Sequence, residues 1–192
     1  MTTALLLVDL QNAFCLPDGS FARRGFTIEN LDGVLAGCLR LREAAAARAW
    51  DVLLTRLVYD PDYSDAGLLV ADQPMIRELG AYAAGGRDAE IVRALAPRSG
   101  DVVIDKTRYD PFLGTGLESL LRRRGVGSIV VAGLLTNVCV ESTVRGAYDR
   151  DFRAAVASDA TGSYDPALHH AALSTMARHF ARVAAVAQLI ES

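Results

Sequence analysis

The chain has 192 residues, 51% of them hydrophobic and 22% charged, with a formal net charge of -3. That is enough apolar material for a substantial α/β core. The slight negative balance, with no Lys/Arg-dense face, gives no electrostatic footing for sequence-independent nucleic-acid binding. No long Pro/Gly/Ser-rich or low-complexity stretch offers a linker, so residues 1–192 read as one domain.

The start, 1-MTTALLLVDLQN-12, lacks a basic n-region, and its apolar run breaks at Asp9. It is too short for a signal peptide or a membrane span, so the expectation is a cytoplasmic protein with no membrane partner. Three cysteines, Cys15, Cys38 and Cys139, form an odd set without metal-type spacing, which fits a reducing compartment and no disulfide framework.

In chain order, the apolar runs at 4–8, 52–58, 102–106, 128–133, 154–158 and 183–187 read as strands. They are continuously apolar rather than alternating, as in strands covered on both faces of a parallel sheet. Amphipathic or Ala-rich segments at 28–49, 88–95, 115–124, 138–150 and 166–181 read as helices. The run Arg122-Arg123-Arg124 suits a solvated helix end, where cations meet the negative pole of the dipole, and 125-GVGS-128 supplies a stop and turn. Repeated strand–helix alternation with right-handed crossovers predicts an α/β fold, a Rossmann-like open parallel sheet of about six strands flanked by helices on both faces. The segment 59–86 is the least regular and is expected to form loops over a site.

Ligands bind outside the carboxyl ends of the strands in such sheets. Asp9 ends the first strand, Lys106 the third, and 134-LLTNVC-139 follows the fourth, so an acid, a base and a thiol converge at one edge. Taken alone, Cys139 reads as a small buried hydrophobe. Its place after Thr136 and Asn137, either of which can cap the following helix, puts it near a helix start, where a thiol's pKa falls and free N–H groups can hold an oxyanion. Asp9 could shuttle a proton and Lys106 could favour thiolate, a nucleophile–base–orienter set that needs no histidine. Cys15 and Cys38 lack these surroundings and read as structural. His169, His170 and His179 fall on the last long helix and are expected to face solvent or an interface. No zinc, dinucleotide or phosphate-loop motif appears; the pair 60-DPD-62 has no nearby His, and no metal or cofactor is expected.

The blocks 5-LLLVDLQNAF-14, 105-DKTRYDPFLGTGLESLLRRRG-125 and 133-GLLTNVCVESTVRGAYDRDF-152 resemble the isochorismatase-like cysteine hydrolases across essentially the whole chain. Within that superfamily the wording is most similar to amidohydrolases of ureido or carbamoyl compounds, such as those acting on ureidoacrylate, biuret and N-carbamoylsarcosine. The resemblance implies a catalytic set of Asp9, Lys106 and Cys139. It also implies a cis peptide between Leu134 and Leu135 that aims the Leu135 amide, with that of Cys139, at an oxyanion. It further implies a homodimer or homotetramer acting on a small-molecule substrate by way of a thioester. Phe14, Tyr59, Tyr109, Phe112 and Asn137 are candidate substrate-binding residues.

Two departures narrow the reading. Metal-dependent nicotinamidases carry an Asp/His set after the second strand, whereas 55-TRLVYDPDYSDAG-67 has no His. Vinyl-ether-cleaving isochorismatases typically lack the cysteine, so Cys139 favours amide chemistry. Hydrolysis of a lactam, a nicotinamide-like amide or an isochorismate-type vinyl ether stays as an alternative, and a non-catalytic binding protein as another. A nucleotide-binding oxidoreductase is disfavoured, because 9-DLQNAF-14 lacks the glycines a pyrophosphate needs.

Overall fold

Six parallel strands build the sheet in the computed structural model, which describes residues 2–191. In chain order the elements are β1 (Thr2–Val8), α1 (Asn12–Cys15), α2 (Ser20–Arg23), α3 (Leu31–Ala47), β2 (Asp51–Leu57), α4 (Leu68–Asp72), α5 (Met75–Glu78), β3 (Val102–Lys106), α6 (Leu117–Arg123), β4 (Val126–Leu134), α7 (Glu141–Tyr148), β5 (Arg153–Gly162), α8 (Pro166–His179), β6 (Ala181–Ala184) and α9 (Val186–Ile190). The strand order β3-β2-β1-β4-β5-β6 reverses direction between β1 and β4, so the sheet is doubly wound and its topological switch lies between those two strands.

Burial follows the two-residue period of the strands. Leu5 and Leu7 of β1, with Leu54, Val130 and Ala132, face the layer holding α3 and α9. Leu6 and Val8, with Leu53, Ile129 and Val131, face α6, α7 and α8 through residues such as Leu117, Val144 and Met176. The strands are apolar on both sides because both sides are covered. A third apolar cluster, around Tyr59, Tyr63, Ile76 and Tyr82, anchors the irregular segment beyond β2, and this segment contributes only the one-turn helices α4 and α5.

The fifth strand, expected at 154–158, extends to Arg153–Gly162, and three other elements depart from expectation in ways with a clear cause. Residues 88–95 form no continuous helix, only 3-10 turns at Arg87–Ala89 and Arg93–Leu95. The backbone between them is used elsewhere: Asn12 N–H donates to Glu90 O and Val92 N–H donates to Leu10 O, each at 2.8 Å. The last strand is Ala181–Ala184 rather than 183–187, because Asp159 Oδ1 accepts from Val186 N–H at 2.7 Å and Gln188 Oε1 from Ala185 N–H at 3.1 Å, which starts α9. The first long helix begins at Leu31, after Asn30 adopts a left-handed φ of 52°. Among the described residues no helix is long and apolar enough to cross a membrane.

Candidate active site

Asp9, the residue after β1, turns out of the strand with φ 50°. Its N–H donates to the Thr55 carbonyl and hydroxyl oxygens, each at 3.2 Å, and the Thr55 hydroxyl donates back to Asp9 Oδ1 at 2.6 Å. The other carboxylate oxygen, Oδ2, accepts from Lys106 Nζ at 2.7 Å. Lys106 Nζ also donates to Arg108 O at 3.1 Å and lies 3.5 Å from Cys139 Sγ. Both charged side chains are fully buried, and Cys139 is 4% exposed. The structure therefore brings Asp9, Lys106 and Cys139, from β1, β3 and the turn after β4, into one contact group.

The electrostatics correct one expectation. Burial pushes the Cys139 thiol above its ordinary value, against the opposing pull of Lys106, so at rest the proton sits on sulfur. A helix start acts through partial charges, and here desolvation of a buried sulfur at the cleft floor outweighs it. Burial by itself would lower the Lys106 pKa; the adjacent Asp9 carboxylate and Cys139 sulfur offset that and hold it above the ordinary lysine value, so the ammonium persists.

The turn carrying the thiol is a π-helical turn, Thr136–Val140, that runs straight into α7. Val138 and Val140 N–H both donate to Leu135 O at 3.1 Å. The Leu134–Leu135 peptide is cis. Leu134 is buried in the core, Leu135 lines the cleft, and the Leu135 N–H takes no protein acceptor among the described residues.

Neither Thr136 nor Asn137 caps this turn; Leu135 precedes it in extended conformation without a side-chain cap. Their polar groups are engaged across the sheet edge instead. Asn137 Oδ1 accepts from Ser163 Oγ at 2.6 Å. Thr136 Oγ1 lies 2.9 Å from Thr161 Oγ1 and 2.8 Å from His169 Nδ1, and Thr161 Oγ1 donates to Gly133 O at 2.8 Å. His169 thus faces inward, half-buried, whereas His170 and His179 are exposed. Burial and the neighbouring His170 lower its pKa.

Cys139 opens onto a cleft of about 630 Å³ walled by Phe14, Phe21, Tyr82, Tyr109, Leu135 and Tyr164. Arg24 and Asp72 add charge to that wall; Arg24 donates to Gln73 Oε1 and pairs with no carboxylate among the described residues. A second chamber of about 480 Å³, with Tyr59 and Arg108 on its wall, shares Tyr109 and Gln73 with the first. Phe14, Tyr59 and Tyr109 therefore line the cavities. Phe112 does not: its ring stacks on Phe152 at 5.9 Å inside the core, under the Arg150 guanidinium. Asn137 is held against Ser163 and is absent from the cavity wall. A larger hollow of about 1100 Å³, among Trp50, Arg153 and Phe180, lies at the amino-terminal end of the strands and contains none of the three convergent residues.

Sequence reasoning missed Thr55, Arg24, Thr161 and His169. A hydroxyl inside the apolar run 52-VLLTRLV-58 was the one local signal for Thr55. The others are defined by neighbours distant along the chain. Among the described residues no group of three or more His, Cys, Asp or Glu side chains is arranged to hold a metal ion.

The isochorismatase domain model matches residues 3–188. The chain belongs to the isochorismatase family. Within that family it is 39% identical over 199 residues to the ureidoacrylate amidohydrolase RutB of Methylobacterium radiotolerans, covering 97% of this chain and 77% of that enzyme. Among solved structures it is similar to a cysteine hydrolase from Pseudomonas syringae pv. phaseolicola 1448A, with TM-score 0.90 and 31% identity over 98% of this chain and 91% of the other. It is also similar to N-carbamoylsarcosine amidase from Thermoplasma acidophilum, with TM-score 0.76 and 26% identity over 97% of both chains.

Proposed function

We propose that this isochorismatase-family chain is an amidohydrolase that cleaves a C–N bond of a small ureido, N-carbamoyl or amide compound through a covalent intermediate on Cys139. The observation that carries the reading is Lys106 Nζ, 2.7 Å from Asp9 Oδ2 and 3.5 Å from Cys139 Sγ in a buried group at the cleft floor. The relatives named for ureidoacrylate and N-carbamoylsarcosine hydrolysis support the substrate class.

A thiol held protonated by burial needs a base at the moment of attack, and Asp9 is that base. Asp9 takes the thiol proton as Sγ bonds to the carbonyl carbon, and the C=O pair moves onto oxygen. Lys106 balances the charge passing between sulfur and carboxylate, and the Leu135 and Cys139 amides hold the oxyanion. When the oxygen pair returns, the C–N bond breaks and the Asp9 proton goes to the departing nitrogen. This leaves a thioester, or a thiocarbamate from a ureido substrate. Asp9 then deprotonates water, which attacks the same carbon; the C–S bond breaks and sulfur recovers its proton. The residues need no cofactor for this sequence. The functional unit we infer is a homodimer or homotetramer, which light scattering on the purified protein measures.

The test is ammonia release over biuret, ureidoacrylate analogues, N-carbamoyl amino acids, nicotinamide and lactams, with wild type, Cys139→Ser and Asp9→Asn. Turnover of a ureido or carbamoyl compound by wild type, lost in both variants, is expected. Full activity in either variant refutes the mechanism, and turnover of no compound by wild type favours a binding protein.

A further inference from the structure

The contacts beside the nucleophile turn admit one arrangement of protons. A carbonyl oxygen only accepts, so the 2.8 Å contact between Thr161 Oγ1 and Gly133 O commits the single Thr161 hydroxyl proton to Gly133. The 2.9 Å contact between the threonine hydroxyls then requires Thr136 to donate to Thr161. With its own proton committed, Thr136 Oγ1 can only accept across the 2.8 Å contact to His169, so the ring must present Nδ1–H. Both threonines are buried, at 0% and 3% exposure, so no bulk water competes for these bonds.

We infer that His169 is a positioning residue for the nucleophile turn: its Nδ1–H starts a one-directional chain, His169 to Thr136 to Thr161 to Gly133 O, that fixes the backbone on both sides of Leu134 and Leu135. The inference rests on the amidohydrolase reading for its kinetic consequence, but not for its proton assignment. The chain joins the C-terminal ends of β4 and β5 to α8. The start of α8 is itself pinned: Asp165 Oδ1 accepts from Ala167 and Leu168 N–H at 2.8 and 3.2 Å, and Pro166 occupies the first turn. His169 sits one turn in, so helix capping sets the ring's reach. Because Thr136 begins the turn containing Cys139, a slack chain lets the Leu135 amide and the thiol drift relative to each other. Errors of about 1 Å between reacting groups cost on the order of 100-fold in rate.

Three substitutions separate a donor from a mere space-filler. In His169→Asn the side-chain amide can place an N–H where Nδ1 was. His169→Asp has the same shape but, ionised, only accepts, and His169→Leu does neither. Activity of the Asn variant within a few-fold of wild type is expected, with kcat falling roughly 10- to 100-fold and KM little changed in the Asp and Leu variants. Thermal unfolding checks that each variant is folded. Independently of any substrate, ring 15N shifts of the resting wild-type protein, assigned by the signal missing in His169→Asn, are expected to report the Nδ1–H tautomer. An Nε2–H tautomer, or equal kcat in folded Asn and Asp variants, overturns the inference. Residual turnover in a Cys139→Ala control defeats the amidohydrolase reading instead and leaves the tautomer measurement standing.

Discussion

Replacement of Lys106 by Met keeps the stem and deletes the charge, which leaves the Asp9 carboxylate buried without a cationic partner, beside the Thr55 hydroxyl and the Cys139 thiol. At 2.7 Å and an effective dielectric of about 20, the lost attraction is roughly 6 kcal/mol. Part of this is recovered because the ammonium no longer has to be desolvated, and removal of one partner from a buried pair costs about 3–5 kcal/mol in net stability. The cost arises from an uncompensated buried anion. Lys106→Met should lose about 3–5 kcal/mol in urea denaturation at pH 7. The double variant Asp9→Asn/Lys106→Met, with neither charge, should be more stable than Lys106→Met alone. Amide turnover should be abolished in both. A loss below about 1 kcal/mol at pH 7 would refute the claim that the pair is a tightly coupled buried unit.

Three further outcomes follow from particular contacts. Burial raises the Cys15 thiol from 9.0 to about 12, so above pH 9 the unfolded chain releases this proton while the folded chain keeps it. Cys15 alone should lower stability with rising pH through that window by up to about 1.4 kcal/mol per unit, and the buried Cys38 and Cys139 thiols add to the slope. Denaturation under reductant at pH 8, 9 and 10 checks this, and Cys15→Ala should make the slope shallower by its own share. Gly133 has φ 119°, and a Cβ there would lie 2.1 Å from Val8 O, so Gly133→Ala should fail to accumulate as folded protein, as judged by circular dichroism and solubility. Arg24 is a cation on the cleft wall, so Arg24→Ala should raise KM about tenfold or more for ureido acids and little for uncharged biuret in parallel steady-state assays.

Local pattern carried the sheet because its strands satisfy a local rule: runs such as 4-ALLLV-8 are apolar on both faces since both faces are covered. Once the strands are placed, the topology alone sends Asp9, Lys106 and the Cys139 turn to one edge. Misreadings arose where a distant segment overrode the local signal. Residues 88–95 look helical by composition, but the backbone of Leu10 and Asn12 claims their hydrogen bonds. The Cys139 thiol sits at a helix start that favours thiolate, yet the enclosure that sets its proton affinity is built from other elements. Adjacent His169 and His170 cannot share a helix face, but which one turns inward depends on Thr136, 33 residues earlier. Phe112 shows the reverse: an aromatic beside a site motif, used for packing against Phe152.

The strand order has a bearing on how the chain acquires its chemistry. Asp9 and Lys106 are separated by 97 positions, and Lys106 and Cys139 by 33, so no contiguous half of the polypeptide holds the whole set. β1 pairs with β2 on one side and, across more than a hundred residues, with β4 on the other, and such non-local pairings are among the slowest to form. A sheet assembled without the β1–β4 pairing would hold Cys139 apart from Asp9 even where its helices had formed. Recovery of turnover after dilution from denaturant should therefore report the closing of these long-range contacts and lag behind the return of helical circular dichroism.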